Sequence, residues 1–505
     1  MKLAIASATA AATLWAVSPA PAAIVYSTVA LTGTDGTYGP GEGPGVTFFS
    51  LTSVQPAINN SGQVAFRGQD STTGNPNGLW LRTGNANALL GINGGPLPGG
   101  GTYPTGPSAL FNTYILNNAG QTAWRLGAST AAFSTTPGSP ARFVYPGDNA
   151  PGTTTSGPLA TFSGVSSGMP LLNQSGSMAV MASLNVNASL TPPVTIASGV
   201  INSAGIWTGT PGNQQLVLRQ NDTLNSLDAT GNTRVGTMQN LGFVFNGNGS
   251  YAVVTALQGS NVVTGTGATS NSQIIATNRS GSFEAAARAG SPAPDAAGIP
   301  SVNLYRSIAN SAPGFNDFGH VAFSSSLRDS AGVQTNAGAL FTDAGSGTLR
   351  TVAKATDAMP TIYSRTGSAL SEFNGVTWGS TYSNPLLNGT DQLLVAASGW
   401  GNTGGQTNNS GLLLLDTAGL WHKIERNGDV AITGGAPNGT DAFFSSTSSV
   451  QMNAAGQIAF MSNLTGVNVS VGAGNGSALW ISDPDGTLTK IARTNDSFEV
   501  APGDI

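Results

Sequence analysis

Short runs of alternating or continuous apolar residues follow one another along this chain, and turn-forming residues separate them. The stretch 443–493 is the clearest example. A run rich in Phe, Ser, Thr and Val, Phe443–Gln451, ends at Asn453-Ala454-Ala455-Gly456, where Asn can cap its own turn and Gly can adopt a positive φ. Three more runs follow it: Gln457–Met461, Ala478–Ile481 and, after the tight turn Asp483–Gly486, Leu488–Ala492. This pattern predicts a four-stranded antiparallel meander.

The turn of this meander recurs along the whole chain. Four full copies of Asn-x-x-Gly-x-x followed by Ala and an aromatic residue begin at Asn59, Asn117, Asn316 and Asn453. Weaker copies begin at Asn173 and Asn246, and the most divergent copy is Asn388/Asp391/Leu394/Val395. The seven copies are spaced by 58, 56, 73, 70, 72 and 65 residues. Units of this length tile the molecule and leave no room for a separate catalytic domain.

The last two strands of the unit recur with the turn. Third strands are predicted at Gly78-Leu79-Trp80, Gly205-Ile206-Trp207, Gly338–Phe341 and Gly411-Leu412-Leu413. Fourth strands are predicted at Val217-Leu218-Arg219, Ala286-Ala287-Arg288, Val352-Ala353-Lys354 and Ile424-Glu425-Arg426. Because a small sheet cannot bury two apolar faces alone, the copies must stack. We therefore predict an all-β fold, a β-propeller of about seven four-stranded antiparallel blades, with an elongated β-repeat array as the alternative.

Composition narrows the classes of function. Only 8% of the 505 residues are charged, the net charge is -5, and 39% are hydrophobic. These values exclude a charge-solvated disordered chain and a polybasic nucleic-acid binder. The chain has no cysteine and two histidines, which excludes disulfides, thiolate metal sites and imidazole-rich metal sites.

The first residues predict export. Lys2 precedes an apolar stretch, Leu3–Val17, and Ser18–Ala22 places small residues at the -3 and -1 positions of a cut after Ala22. The apolar stretch is shorter than the roughly 20 residues that span a bilayer. We expect a signal peptide at 1–22, a single repeat-built propeller domain at 23–505, no transmembrane segment after signal removal, and an extracellular or cell-surface location.

These repeats resemble a family of bacterial tandem-repeat proteins, defined by an Asn-x-x-Gly-x-x-Ala-Phe signature and grouped by a variable C-terminal surface anchor. The resemblance covers nearly all of the chain after the signal peptide and rests on the seven spaced copies. It implies an exported, surface-associated protein, and the family has no established biochemical role. The sequence departs from the family in that no sorting signal such as a PEP-CTERM segment follows the last unit.

Aspartates in the loops between units are the first candidate site. The loop reads Gly147-Asp148-Asn149-Ala150-Pro151-Gly152 in full, and partial copies surround Asp35, Asp222, Asp357, Asp429 and Asp496. A ring of such carboxylates could bind calcium or a sugar. Capping of local backbone amides is the favoured interpretation, and no copy has the spacing of a calcium cage. The same holds for Asp483-x-Asp485-Gly486, so no metal or cofactor is predicted.

Catalytic signals are weak. Gly164–Gly168 fits Gly-x-Ser-x-Gly but lacks a strand-to-helix turn. None of the five glutamates recurs in a matched context as a glycosidase pair would require; they are Glu42, Glu284, Glu372, Glu425 and Glu499. His320 is expected in an ordinary turn or strand position and His422 at a partly exposed blade edge. The third-strand aromatic residues are expected in the core between blades rather than on a carbohydrate platform: Trp80, Trp207, Phe341 and Trp480.

The favoured function is therefore a non-enzymatic exported or cell-surface propeller that acts as a binding, adhesion or matrix module. Its expected partner is an extracellular ligand, a polysaccharide or a surface protein. The alternative is a carbohydrate-active or other hydrolytic propeller with a site built from the long loops near Leu184–Ser203 and Tyr363–Ser383. A structural surface-layer element is a third possibility. No catalytic, cofactor-binding or metal-binding residues are assigned.

The two ends of the chain carry the same element. A fourth strand and loop occur before the first unit, at 28–35, and again after the last, at 491–496, giving eight copies against seven Asn-x-x-Gly turns. In a closed ring of seven blades, Val25–Thr32 and Leu488–Arg493 would compete for one edge. Because 501–505 resembles a loop that elsewhere leads to a new first strand, we expect a truncated product whose missing part holds an eighth unit or an anchor.

Overall fold

The structure is a computed structural model, and its strands are short and joined by tight turns. It describes residues 29–33, 39–42, 44–51, 56–72, 76–105, 111, 113–126, 131–135, 139–154, 158–165, 170–187, 189–190, 194, 202–224, 232–265, 269–308, 312–401, 408–432, 441–467, 469 and 474–496. The predicted signal peptide and residues 25–28 lie outside the described residues.

The described strands form seven sheets, here called the first to seventh blades. The first blade has β1 (Phe48–Leu51), β2 (Ala57–Ile58), β3 (Val64–Asp70), β4 (Asn77–Thr83) and β5 (Ala86–Ile92). The second has β6 (Thr113–Leu116), β7 (Thr122–Arg125), β8 (Ala132–Ser134) and β9 (Ala141–Val144). The third has β10 (Asn149–Ala150), β11 (Ala160–Val165), β12 (Leu171–Leu172), β13 (Met178–Leu184), β14 (Ala204–Thr210) and β15 (Asn213–Arg219).

The remaining blades repeat this arrangement. The fourth has β16 (Arg234–Phe245), β17 (Tyr251–Gln258), β18 (Gln273–Thr277) and β19 (Glu284–Arg288). The fifth has β20 (Pro292–Pro294), β21 (Pro300–Ile308), β22 (Gly314–Phe315), β23 (Val321–Arg328), β24 (Gln334–Thr342) and β25 (Arg350–Lys354). The sixth has β26 (Ile362–Tyr363), a 3-10 helix (Ser371–Phe373), β27 (Thr381–Leu387), β28 (Leu393–Ser398), β29 (Ser410–Leu415) and β30 (Trp421–Arg426). The seventh has β31 (Val430–Ile432), β32 (Ala442–Met452), β33 (Ile458–Thr465), β34 (Ser477–Ser482) and β35 (Leu488–Arg493).

Each blade is the predicted antiparallel meander, in which the four long strands pair in chain order. The loop between units adds a short strand such as β10, β20 or β31 to the first long strand of three blades. The sixth blade differs, because β26 pairs in parallel with the fourth strand β30 and covers that edge. The fold is therefore an all-β propeller of seven blades, as predicted.

Hydrophobic clusters join each blade to the next. Six clusters lie between consecutive blades, and each combines the third-strand and second-strand residues of two sheets. The predicted core aromatic residues are all buried within clusters: Trp80, Trp207, Phe341 and Trp480. Burial of such rings contributes about 1.5–3 kcal/mol each to stability, whereas the fourth and sixth blades have Ala276 and Leu413 at the same position.

The recurring Asn both shapes its own turn and links two blades. In the second blade, Asn117 Oδ1 accepts hydrogen bonds from the backbone N–H groups of Ala119 and Gln121. Its Nδ2 donates to the backbone carbonyl of Asn173, the equivalent residue of the third blade, at 2.8 Å. Corresponding Nδ2 bonds to the next blade start from Asn59, Asn173, Asn246, Asn316 and Asn388. These bonds connect all seven blades in order, and we call them the asparagine relay.

The loop element at the chain ends also has a defined geometry. A residue with positive φ follows the fourth strand, and its N–H donates to the first strand of the next blade or to the segment that leads into it. The residues with this geometry are Gly94, Gly147, Asn221, Gly290, Thr356 and Gly428, and Gly33 makes the same bond to Phe48 before the first blade. Asn495 has the same positive φ after β35. Described residues at each end thus have separate places, so the competition expected for a closed ring of seven is not observed.

Candidate functional site

One buried carboxyl group stands at a position that is apolar in other blades. Glu425 lies on β30, three residues before the positive-φ residue Gly428. In four other blades, the residue three places before the positive-φ residue of the equivalent loop is buried and apolar. These residues are Val144, Leu218, Ala287 and Ala353. Glu425 is also buried, with 2% of its surface exposed. A carboxyl at such a position loses hydration that an apolar side chain does not need, which makes it a candidate for function.

The surroundings of Glu425 favour its protonated form. Burial raises the pKa of Glu425 to about 7, although a hydrogen bond from the Thr447 hydroxyl to Oε1 lowers it, and the charge of Asp429 raises it further. The backbone N–H of Leu412 also lies near the carboxyl group and lowers its pKa, but the second oxygen, Oε2, is buried and makes no hydrogen bond of ordinary geometry with the described residues. The carboxyl group therefore changes charge near neutral pH, and one of its buried oxygens is not paired as the other is.

Glu425 lines a cavity of about 840 Å³ at the contact between the sixth and seventh blades. The first strands of the fourth, sixth and seventh blades contribute to its wall through residues such as Val244 and Leu386, and the short strand β22 of the fifth blade contributes Phe315. Hydroxyl groups of Ser410, Ser446, Thr447 and Ser448 lie among apolar residues such as Pro385, Leu394 and Val450. A cavity of this size and mixed lining is typical of small-ligand sites.

A bulge in β32 shapes one wall of the cavity. Ser448 pairs with Met461 and Gln451 with Ala459, so two residues of β32, Ser449 and Val450, lie opposite one residue of β33. Ser449 has a φ of 51°, an unusual value for a residue other than glycine. Bulges of this kind often redirect side chains next to binding sites, and here the whole stretch 446–451 faces the cavity.

The loop aspartates among the described residues each have a local partner rather than forming a ring of free carboxylates, and Asp148 of the full loop copy lies 3.9 Å from Arg142. Asp222 and Asp496 accept hydrogen bonds from the backbone N–H groups of Arg219 and Arg493. Asp357 pairs with Lys354, and Asp429 with Lys423. The predicted capping role is confirmed for Asp222 and Asp496, and Asp483–Gly486 is a hairpin turn as predicted. Asp35 lies outside the described residues. Within the described ranges, no three His, Asp or Glu side chains are grouped as metal ligands.

The two histidines have partners that the sequence did not reveal. His320 lies in the turn of the fifth blade, and its Nδ1 is 2.7 Å from Oδ1 of Asp391 in the sixth. Burial opposes ionisation of Asp391, but hydrogen bonds from His320, Asn316 and the Gly345 N–H hold its pKa below the usual value. His422 bonds the Ser364 carbonyl and Asp416 Oδ2 through its two ring nitrogens. His422 is partly exposed as expected, but its strand β30 is not a free blade edge, because β26 pairs with it.

The other enzyme-like features are distributed over the molecule. Glu284 pairs with Arg279, and Glu372 pairs with Lys423. Partial burial of its carboxyl group raises the pKa of Glu42 to about 7, and the charge of the neighbouring Asp70 adds to this effect, although the residue as a whole is exposed. Ser166 of the Gly-x-Ser-x-Gly sequence and Glu499 lie outside the described residues.

The long segment 363–383 does not form an open loop-built site. It packs against the sixth blade through Phe373, Val376 and Trp378, which are part of the hydrophobic core there. The Phe373 ring also lies below the guanidinium of Arg426, with 5.0 Å between the Arg426 Cζ and the ring centroid. Of the two long loops considered for a hydrolytic site, this one therefore contributes to the hydrophobic core of the sixth blade.

Glu425→Gln should change the pH dependence of stability. Because the folded-state pKa is about 7 against an ordinary value of 4.5, the wild-type protein should lose stability as pH rises through this window. Removal of the titrating group should raise the stability of the variant relative to wild type by on the order of 3 kcal/mol between pH 4 and pH 8. Urea unfolding at several pH values measures this difference.

Two features make this comparison specific. Glu42 titrates in the same range in both proteins, so the difference between them, and not the wild-type profile, reports Glu425. Glu425→Leu removes the same carboxyl group and should show the same difference in pH dependence from wild type as Glu425→Gln. Parallel profiles of wild type and Glu425→Gln would contradict the pKa assignment.

Seven stacked sheets, each built on four long strands, define the protein as a β-propeller with a cavity between two blades. None of its described segments is a helix of the length and apolar character that crossing a membrane requires. Residues 58–505 match the model of DUF7453, a family of unknown function, and the chain belongs to this family. No curated protein matches the sequence.

Solved structures with a similar fold are distant. They include acylaminoacyl peptidase from Pyrococcus horikoshii, with 8% identity and a TM-score of 0.38 over 88% of this chain and 53% of that one. A PL25 ulvan lyase has 9% identity and a TM-score of 0.32, and the match covers 75% of this chain and 81% of the lyase. An alpha-L-arabinanase from Penicillium chrysogenum, complexed with arabinobiose, has 9% identity and a TM-score of 0.26. The match covers 74% of this chain and 98% of the arabinanase. The chain spans about half the length of the peptidase, and at these scores the likenesses carry no argument about chemistry.

Proposed function

We propose that this protein is an exported, non-enzymatic binding propeller that takes an uncharged, hydroxyl-rich ligand, such as a stretch of neutral polysaccharide, in the cavity between its sixth and seventh blades. The observation that carries the proposal is Glu425, a buried carboxyl with an unpartnered oxygen at a position that is apolar in other blades. Export rests on the sequence of residues 1–22.

The cavity lining supports a ligand of this class. Hydroxyl groups of a sugar both donate and accept hydrogen bonds, so they can pair with Ser and Thr and with Glu425 in either protonation state. Apolar residues such as Leu386 and Val450 can contact the C–H faces of the ligand. Glu425 is the only ionisable side chain among the described lining residues, which disfavours a strongly charged ligand.

Binding is favoured over bond cleavage for a chemical reason. Most glycosidases use two carboxyl groups at a fixed separation, one as acid and one as base or nucleophile. Glu425 has no second carboxyl beside it in the described lining, and the nearby Asp429 already pairs with Lys423 at 2.7 Å. A single buried acid can orient a ligand but does not provide both roles.

The test is binding of soluble neutral polysaccharides, a β-1,3-glucan, a β-1,4-galactan and an α-1,4-glucan, with alginate as the charged comparison. We expect wild type to bind at least one neutral polymer. Glu425→Leu, which places the residue type of Leu218 at the equivalent position, should weaken binding roughly tenfold because one hydrogen bond to a buried polar group is lost. Ser448→Trp, which fills the cavity, should abolish binding.

Matched measurements separate binding from catalysis and from unfolding. Glu425→Gln should bind with an affinity that no longer varies between pH 5 and pH 8, and circular dichroism should show the variants folded. Unchanged binding by Glu425→Leu and Ser448→Trp would reject the cavity as the site. Accumulation of reducing ends with wild type, absent in Glu425→Gln, would favour the hydrolytic alternative.

A further inference from the structure

The outward face of the seventh blade is open, unlike the equivalent faces of the other six. In each third strand, the residue just before the equivalent of Trp80 faces the next blade. In the first six blades this residue is 0–1% exposed: Leu79, Ala132, Ile206, Ile275, Leu340 and Leu412. The equivalent Leu479 is 37% exposed, and its cross-strand partner Met461 is 42% exposed. Ala459, whose counterpart Ala65 is fully buried, is also half-exposed. An apolar face is thus left uncovered.

The asparagine relay also ends at this face. The Asn residues of the first six blades are buried and donate to the following blade, but Asn453 is exposed. Among the described residues, its Nδ2 donates only to Gln457 Oε1, within its own turn, at 2.8 Å. Asn453 is therefore a preformed donor in the same place as six donors that bind a backbone carbonyl of a neighbouring unit.

The opposite end of the array is already occupied. In the seventh blade, the face that carries Trp480 packs on the sixth blade. The equivalent face of the first blade consists of Phe48, Val64, Phe66 and Trp80, and Val29 and Ala30 pack against it. Gly33 makes the loop bond that elsewhere follows a fourth strand. Residues 29–32 thus lie where the end of the fourth strand of a preceding unit would lie.

We propose that the open face of the seventh blade docks one further repeat unit, made of three antiparallel strands that carry the Asn-x-x-Gly turn and a third-strand aromatic residue. Its turn carbonyl would accept from Asn453 Nδ2, and its aromatic residue would cover Leu479 as Trp480 covers Leu412. Residues 29–32 would act as its fourth strand. Closure of the seventh blade onto the first, or onto the first blade of a second copy, would require expulsion of residues 29–33.

The experiment supplies such a unit. A copy of residues 441–482, which contain β32, β33 and β34, is joined after Ile505 of the full chain, with Leu at the positions copied from Met452 and Met461 so that the native Met461 peptide is distinguishable by mass. Oxidation of Met461 by hydrogen peroxide, followed by mass spectrometry, reports whether the face is covered, because the reaction rate of Met follows exposure. We expect the added unit to slow oxidation of Met461 by roughly fivefold or more relative to the unextended chain. The control copy carries Asp at the positions copied from Phe460 and Trp480, and it should give no protection.

Several results would overturn the proposal. If a second extension built from residues 300–342 of the fifth blade also leaves Met461 reactive, the face does not accept this unit. If Met461 is already protected in the unextended monomer, the seventh blade is covered from within the chain. If protection of the unextended chain rises with protein concentration together with dimer formation in light scattering, a second copy is the occupant.

Discussion

Leu79→Ala should destabilise the protein by about 2–5 kcal/mol, whereas Leu479→Ala should cost about 1 kcal/mol or less. The two leucines hold the same place in the third strand of the first and seventh blades, each followed by a buried Trp. Leu79 is fully buried against the second blade, so its removal leaves a cavity. Leu479 faces solvent in part, and water can fill the space that the shorter side chain leaves.

Urea unfolding of both variants, with ΔG extrapolated to zero denaturant, measures this difference. The pair controls for strand propensity, because the substitution and its neighbours in the strand are nearly the same. Equal losses for the two variants would show that the outward face of the seventh blade is covered in solution. They would therefore contradict the difference in exposure between the first and the last blade.

Asn117→Ala should cost about 2–4 kcal/mol, and Asn453→Ala about 1 kcal/mol or less. Both side chains accept a hydrogen bond from the N–H of a Gln four residues later and donate to its Oε1. Only Asn117 is buried and also bonds the Asn173 carbonyl. Its replacement leaves buried polar groups without partners, and that loss is larger than the loss of an exposed turn bond.

The same unfolding measurement applies, and amide hydrogen exchange adds a local readout. In Asn117→Ala, exchange should accelerate in the turns of both the second and the third blade, since the lost bond joins them. In Asn453→Ala, faster exchange should stay within 453–457. Similar unfolding energies for the two variants would mean that the bond between blades contributes little to stability.

The repeat pattern predicted the fold because the residues within one unit are sufficient to predict the strands and turns of that unit. Gly456 needs a positive φ, Trp480 needs a neighbouring sheet, and both requirements can be recognised in one unit and checked against the others. The asparagine relay could not be predicted in this way. Its donor and acceptor are 56 to 74 residues apart, and only the stacking of blades brings them together.

Glu425 left a signal in the sequence that a comparison of the five glutamates with one another does not detect. The fourth strands Val217-Leu218-Arg219 and Ile424-Glu425-Arg426 align, so a carboxyl replaces a core residue at one place in the repeat. Only a comparison of each glutamate with its equivalents in other units reveals this exchange. The pair His320 and Asp391 left a weaker signal, an Asp where the turn usually has Gly, and the two residues are 71 positions apart.

The acceptor in the asparagine relay is always a main-chain carbonyl, and every residue type has one. Asn173 illustrates the consequence, because it bonds the carbonyl of Gly247 rather than that of Asn246. The relay bond itself therefore places no demand on the side chain of the residue that accepts it, although side chains such as Asn118 and Asp391 add further bonds between neighbouring turns. A gene duplication that inserts a unit therefore preserves the relay bond, and so does a recombination that exchanges one unit for another. Each copy is then free to diverge at other positions. The unequal spacing of the seven turns and the acquired carboxyl of a single unit are what such a history would leave behind.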